Sequence, residues 1–165
     1  MMPRVIESKS GFTLLEMIVV LILAGILAAA AGLGLVQAVQ GIVFTKMNAT
    51  TIQKGQIAIT KLVREFNNIS AVTAATATSL TFTSYKAGLS ASHTVAQAGS
   101  TLTFDGDTLT DQVSSFNLRY YDNYNTAPQS TWQSSRRIID INLQLTGAGN
   151  VISPFTARVT PRNLQ

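Results

Sequence analysis

The chain has 165 residues, 46% of them hydrophobic, no cysteine, and twelve basic against eight acidic side chains, for a formal charge of +4. A disulfide-stapled scaffold and a cysteine nucleophile are excluded, and the positive excess is too thinly spread for a nucleic-acid groove, its only doublet being Arg136-Arg137. The length accommodates one domain plus one special segment.

That segment lies near the start. Nothing between Glu16 and Lys46 is charged, and Met17–Val36, MIVVLILAGILAAAAGLGLV, is twenty residues without a polar side chain. At ~1.5 Å per residue such a helix spans the ~30 Å hydrocarbon core of a bilayer, whereas buried core helices usually stop at ~10–14 apolar residues. Arg4 and Lys9 precede the run closely and the next basic residue is Lys46. The positive-inside bias therefore puts the N-terminus in the cytoplasm and exports everything after about residue 45. Two details are unusual: Glu16 places a charge at the edge of the run, and the small residues Ser10 and Gly11 stand before it, where a secretory signal has its small-residue cleavage site after.

Beyond the run, Val39, Val43, Met47, Ile52, Ile59, Leu62, Val63 and Phe66 recur mostly at three- and four-residue steps among Gln, Lys, Arg and Glu. This predicts an amphipathic continuation, so that one helix covers residues 12 to about 68, with 12–36 crossing the membrane and 37–68 two-faced. Gly41 and Gly55 each weaken it by ~1 kcal/mol relative to alanine and mark places where it can bend or fray.

From residue 69 to 165 the texture changes to Thr, Ser and Val with apolar alternation. Leu80 and Phe82 alternate with threonines, and Asp105-Gly106 separates two short alternating runs, the pattern of a two-residue type I′ hairpin. Phe116, Leu118 and Tyr120 share one face of the next strand, with Asn117, Arg119 and Tyr121 on the other. Ile139, Ile141, Leu143 and Leu145 face inward on the strand after it, with Asp140, Asn142 and Gln144 outward, and Phe155, Ala157 and Val159 mark the last. Residues 86–100 and 123–135 read as polar connections, and no internal repeat is present. The expected fold is α+β: an antiparallel sheet whose apolar face is covered by the amphipathic half of the helix.

Catalytic chemistry finds little support. The only histidine, His93, falls in the 86–100 stretch with no G-x-S-x-G elbow in the chain, so a solvated loop histidine is the expectation. Glycines 25, 32 and 34 lie in the apolar run, where small residues let helices approach rather than cradle phosphate. Asp105, Asp107 and Asp111 offer hard oxygens for calcium, but the later glycine and bidentate glutamate of an EF-hand loop are missing, and the hairpin accounts for Asp105 and Gly106 without a metal. Trp132 with Tyr120, Tyr121 and Tyr124 fits either a carbohydrate or protein contact surface or ordinary sheet packing. No cofactor is implied.

The segment KSGFTLLEMIVVLILAGILAAA closely resembles the prepilin-type N-terminal motif of type IV pilins and the pseudopilins of type II secretion systems. Gly11, Phe12, Thr13, Leu14, Glu16 and Gly25 fall where that motif wants them, over about the first thirty-five residues. The resemblance implies a leader, residues 1–11, that a prepilin peptidase removes between Gly11 and Phe12, followed by methylation of the Phe12 amine. It also implies that Glu16 serves subunit assembly into a filament. A cleavage site ahead of the apolar run leaves the membrane helix attached, which accounts for both unusual details. Leu33 stands where many major pilins have proline, and the missing cysteines rule out the C-terminal disulfide many of them carry, which points to a minor subunit.

The segments TKLVREFNNIS, VSSFNLRYYD, RRIIDINLQL and FTARVTPRNLQ are similar to J-type minor pseudopilins and related minor pilins. The function so implied is non-enzymatic: a minor subunit at or near the tip of a type II secretion pseudopilus, helping to initiate assembly and protein secretion. Its partners would be the prepilin peptidase, sister minor subunits, the major subunit and the bacterial inner membrane, with no nucleic acid. A minor pilin of a type IV pilus, serving assembly, adhesion, motility or DNA uptake, is the alternative, and a single-pass anchored binding domain is a third reading.

Overall fold

A computed structural model describes residues 11–86 and 88–164, the Lys86 side chain excepted. The chain forms two compact units, Met1–Val43 and Phe44–Gln165. One helix, α1 (Leu14–Asn67), contributes residues to both. Its observed bounds lie within two residues of the predicted 12–68.

In the first unit α1 is apolar and uncovered. Its most hydrophobic window has a mean hydropathy of 2.7 with none of it buried, so α1 is long and apolar enough to cross a membrane. A core helix of that composition would be buried by its own chain, and this one is not.

The second unit joins residues 44–67 of α1 to eight strands: β1 (Ile69–Ala75), β2 (Ser79–Lys86), β3 (Leu89–Ala98), β4 (Thr101–Phe104), β5 (Asp107–Thr110), β6 (Val113–Tyr121), β7 (Ile138–Thr146) and β8 (Ile152–Val159). They form two antiparallel sheets, β1-β2-β3-β4-β5 and β6-β7-β8, rather than the single sheet expected. Backbone bonds join them: Leu118 N–H donates to Ala77 O (2.6 Å) and Val113 N–H to Ser100 O (2.9 Å). The Tyr120 hydroxyl donates to Thr76 O (2.9 Å).

One core unites helix and both sheets. Ala58, Ile59, Leu62 and Phe66 of α1 pack with Leu80, Phe82, Val95 and Leu102 of the larger sheet and with Phe116, Leu118, Ile139, Ile141, Leu143 and Leu145 of the smaller. Phe66 meets Phe82 edge-on at 5.4 Å. Along α1 the buried stripe is Thr51, Gly55, Ala58, Ile59, Leu62, Glu65 and Phe66, the three- and four-residue recurrence of one helix face.

Four sequence expectations are corrected here. Val39, Val43, Met47 and Ile52 belong to no covered stripe and stay exposed, so the sheet-facing stripe begins only at Thr51. Gly55, read as a weak point, is a close-packing position: α1 runs through it without a break, and an added Cβ would overlap the Phe155 ring. Residues 89–98, read as loop, form β3, paired along β2 and β4. Tyr121 is also buried, although the alternation placed it outward.

Candidate functional site

Gly11, Phe12 and Thr13 precede α1, in no helix or strand, and all three are exposed. Among the described residues, its chain neighbours aside, a Cβ on Gly11 would meet no atom within 4 Å. Thr13 is the N-cap. Its carbonyl accepts the first helical bond from Met17 N–H (3.2 Å). Its hydroxyl accepts a hydrogen bond from Glu16 N–H (3.2 Å), satisfying a donor that the helix leaves without an intrahelical acceptor.

Glu16 is thus the third residue of α1, the only acid of its first turn, and exposed. Thr13-Leu14-Leu15-Glu16 has the S/T-x-x-E spacing of a capping box. Its carboxylate sits at the positive end of the helix dipole, where a negative charge contributes typically 0.3–1 kcal/mol at an exposed site. This capping arrangement, legible as S/T-x-x-E ahead of an apolar run, is what the sequence reading passed over. Residues 1–10, with Arg4, Lys9 and Ser10, lie outside the described residues.

The three aspartates considered for calcium are not brought together as a site. Asp105 is held by His93 and Thr94, with its Oδ2 2.6 Å from His93 Nδ1 and its Oδ1 accepting from Thr94 N–H at 2.7 Å. Asp111 pairs with Lys54 Nζ at 2.7 Å, on the other side of β5 from the turn. Among the described residues no group of three or more His, Asp or Glu side chains converges. The hairpin reading of Asp105-Gly106 holds, with φ of +56° and +88°.

His93 is a strand residue, not a loop residue. Its side chain is 22% exposed, and its ring lies 5.7 Å from Phe82 and 5.2 Å from Phe104, centre to centre. Burial works to raise the Asp105 carboxyl, but the His93 and Thr94 hydrogen bonds outweigh it and hold the group below its ordinary range.

The aromatic group divides. Trp132 meets Tyr120 edge-on at 5.5 Å and packs against the core, and burial pushes the Tyr120 phenol above its ordinary range. Tyr121 and Tyr124 instead flank the guanidinium of Arg158, at 4.9 and 5.7 Å. Arg158 makes a two-pronged contact to Asp140 across the β7–β8 ladder, and this hydrogen bond keeps the Asp140 carboxyl below its ordinary range.

Residues 8–32 match the family described as the prokaryotic N-terminal methylation motif. No curated protein and no solved structure matches the chain.

Proposed function

Because the chain carries the prepilin-type N-terminal signature of the type IV pilin and pseudopilin family, we propose that it is a non-enzymatic filament subunit, processed between Gly11 and Phe12 and methylated on the Phe12 amine. The observation that carries this reading is the match over residues 8–32, set against a helix that begins at Leu14 and is apolar enough to cross a membrane. The scissile bond then lies in an exposed, non-helical stretch immediately ahead of the anchor. Within it no described residue other than its chain neighbours would meet a Cβ at Gly11. Arg4 and Lys9 keep that end cytoplasmic, and the unit Phe44–Gln165 lies on the far side of the inner membrane.

The finer reading is a minor subunit of a type II secretion pseudopilus, at or near its tip. Leu33 in place of proline and the absence of cysteine support a minor over a major role, and the strand segments support the J-type. Glu16 takes part in assembly. Cleavage leaves a positive amine on Phe12 beside the positive end of α1, and the Glu16 carboxylate offsets it, from the same chain or from a neighbour.

Incorporation tests the reading. Glu16→Ala should leave insertion and cleavage nearly intact while lowering the fraction of mature chain in sheared filaments or in cross-links to sister subunits, with Glu16→Asp between. Equal incorporation of Glu16→Ala and wild type would remove the pairing role. Absence of the wild-type chain from filaments and sister cross-links alike would remove the subunit reading.

A further inference from the structure

Three segments of the second unit converge beside the C-terminal end of α1. Tyr85 and Ser90 are paired across the β2–β3 ladder. Ser70 falls where the β1–β2 register shifts between Ile69 and Ala71, and its hydroxyl donates to Thr83 O (3.1 Å). Arg162, Asn163 and Leu164 follow β8 and are tied down on both sides: Arg162 N–H donates to Asn67 O (3.2 Å), and Leu164 O accepts from Arg137 Nη1 (3.3 Å). The Leu164 side chain packs against the core. Together these six residues line a recess of about 600 Å³, within the size range of small-ligand sites.

The fold itself does not use the polar groups of this recess. The side chains of Tyr85, Ser90, Arg162 and Asn163 make no hydrogen bond or ion pair to another described residue. Nor is the Arg162 guanidinium needed to cap the helix. Asn67 O and Asn68 O, where α1 ends, already accept from the backbone N–H groups of Arg162 and Tyr85. No Asp or Glu is among the lining residues, so the guanidinium meets no carboxylate in the recess.

The donor and acceptor set selects the occupant. A guanidinium offers a planar fork that matches one carboxylate through two parallel hydrogen bonds. The Tyr85 and Ser90 hydroxyls and the Asn163 amide both donate and accept, whereas the Ser70 hydroxyl, its proton given to Thr83 O, only accepts. A ligand with one carboxylate and several hydroxyls engages all of them. A nucleic-acid backbone would bring several charges to a single cation, and an apolar acid would find only Leu164 and the Tyr85 ring to cover it. We propose that the recess binds a sugar acid, its carboxylate held by Arg162 and its hydroxyls by Ser70, Tyr85, Ser90 and Asn163. That gives the unit Phe44–Gln165 a saccharide-binding activity that filament membership does not require.

The test titrates trigalacturonic acid into the full chain in detergent micelles by calorimetry, beside its neutral methyl ester and inorganic phosphate. Wild type should bind the acid and should bind the ester about tenfold or more weakly, the scale of one hydrogen bond to a charged group. Arg162→Gln should erase that preference, and Arg162→Lys should keep part of it. Tyr85→Phe should weaken acid and ester alike, because it removes a hydroxyl and leaves the guanidinium. Arg119→Gln, on the three-stranded sheet, should change neither. Melting temperatures equal to wild type guard the variants against a folding defect, and the comparison of acid with ester in the wild-type chain needs no variant. No binding of the acid at millimolar concentration, equal binding of acid and ester, phosphate binding as tightly as the acid, or a preference unchanged in Arg162→Gln would each overturn the proposal.

Discussion

Glu16 has a local reason to be where it is before any neighbour is considered. As the third residue of a helix capped by Thr13, it lies where the backbone N–H groups are unsatisfied and the dipole is positive. A membrane-crossing helix can keep this acid because it sits at the end of the apolar run, not at its centre, where a charge would cost ~2.5–3.5 kcal/mol on the insertion scale. Gly55 shows the opposite dependence, on distant packing. Gly55→Ala should destabilise the second unit by about 1–3 kcal/mol, as overpacking typically does, because the Phe155 ring occupies the space a methyl group needs. Chemical denaturation measures this, and an unchanged midpoint would mean that the helix and β8 do not approach so closely.

Asp105 gives a pH-dependent counterpart at the same scale. Its folded carboxyl lies below the ordinary value of 3.8, so its contribution is present above that value and fades as pH falls through the lower, folded one. Asp105→Asn should lower the melting temperature near neutral pH, and the gap should close below about pH 4. With its side chain 39% exposed, solvent screening keeps the effect under about 1 kcal/mol. A gap that widened in acid would contradict the assignment.

At the scale of elements, helix and sheets depend on each other. Starting the chain near residue 40 retains Ala58, Ile59, Leu62 and Phe66 over the sheets, whereas starting near residue 70 exposes Phe82, Ile139, Ile141, Leu143 and Leu145. The longer fragment should therefore be soluble and unfold cooperatively, and the shorter should aggregate. Equal behaviour of the two by light scattering and thermal melting would refute helix-on-sheet packing. The sheet edges are managed as well. Phe116, Leu118 and Tyr120 donate away from β7, to Gln97, Ala77 and Gln129, so the inward-bonding residues of β6 are the odd ones. Following the register through β7 places Pro154 on the outer edge of β8, where its missing N–H costs no ladder bond.

The helix, the D-G hairpin and the strands rich in Ile, Leu and Phe were legible because their apolar periods differ. β3 was not: its sequence is mostly Ala, Ser, Thr and Gln with Val95 alone fully buried, so pairing on both sides, and not local pattern, makes it a strand. Alternation tells which face a residue takes but not which strands share a sheet, so the division into two sheets was hidden. At the site, Gly11 and Glu16 stood out by their positions relative to the apolar run and Phe12 only through the resemblance to the prepilin-type motif, while the capping role of Thr13 runs through a backbone bond that a motif reading overlooks.

At the scale of the whole molecule, an apolar uncovered unit and a unit with a packed core occur in one chain, and one helix contributes residues to both. That division suits a subunit which waits in a membrane and later packs its helix among others, and the prepilin-type signature lies at the start of it. The intact mass of the protein isolated from cells with an active prepilin peptidase is the most direct test of this account. It should correspond to a chain beginning at Phe12 with one added methyl group, and to the full-length chain when the peptidase is deleted. A mass that still included residues 1–11 with the peptidase present would contradict the account at its centre.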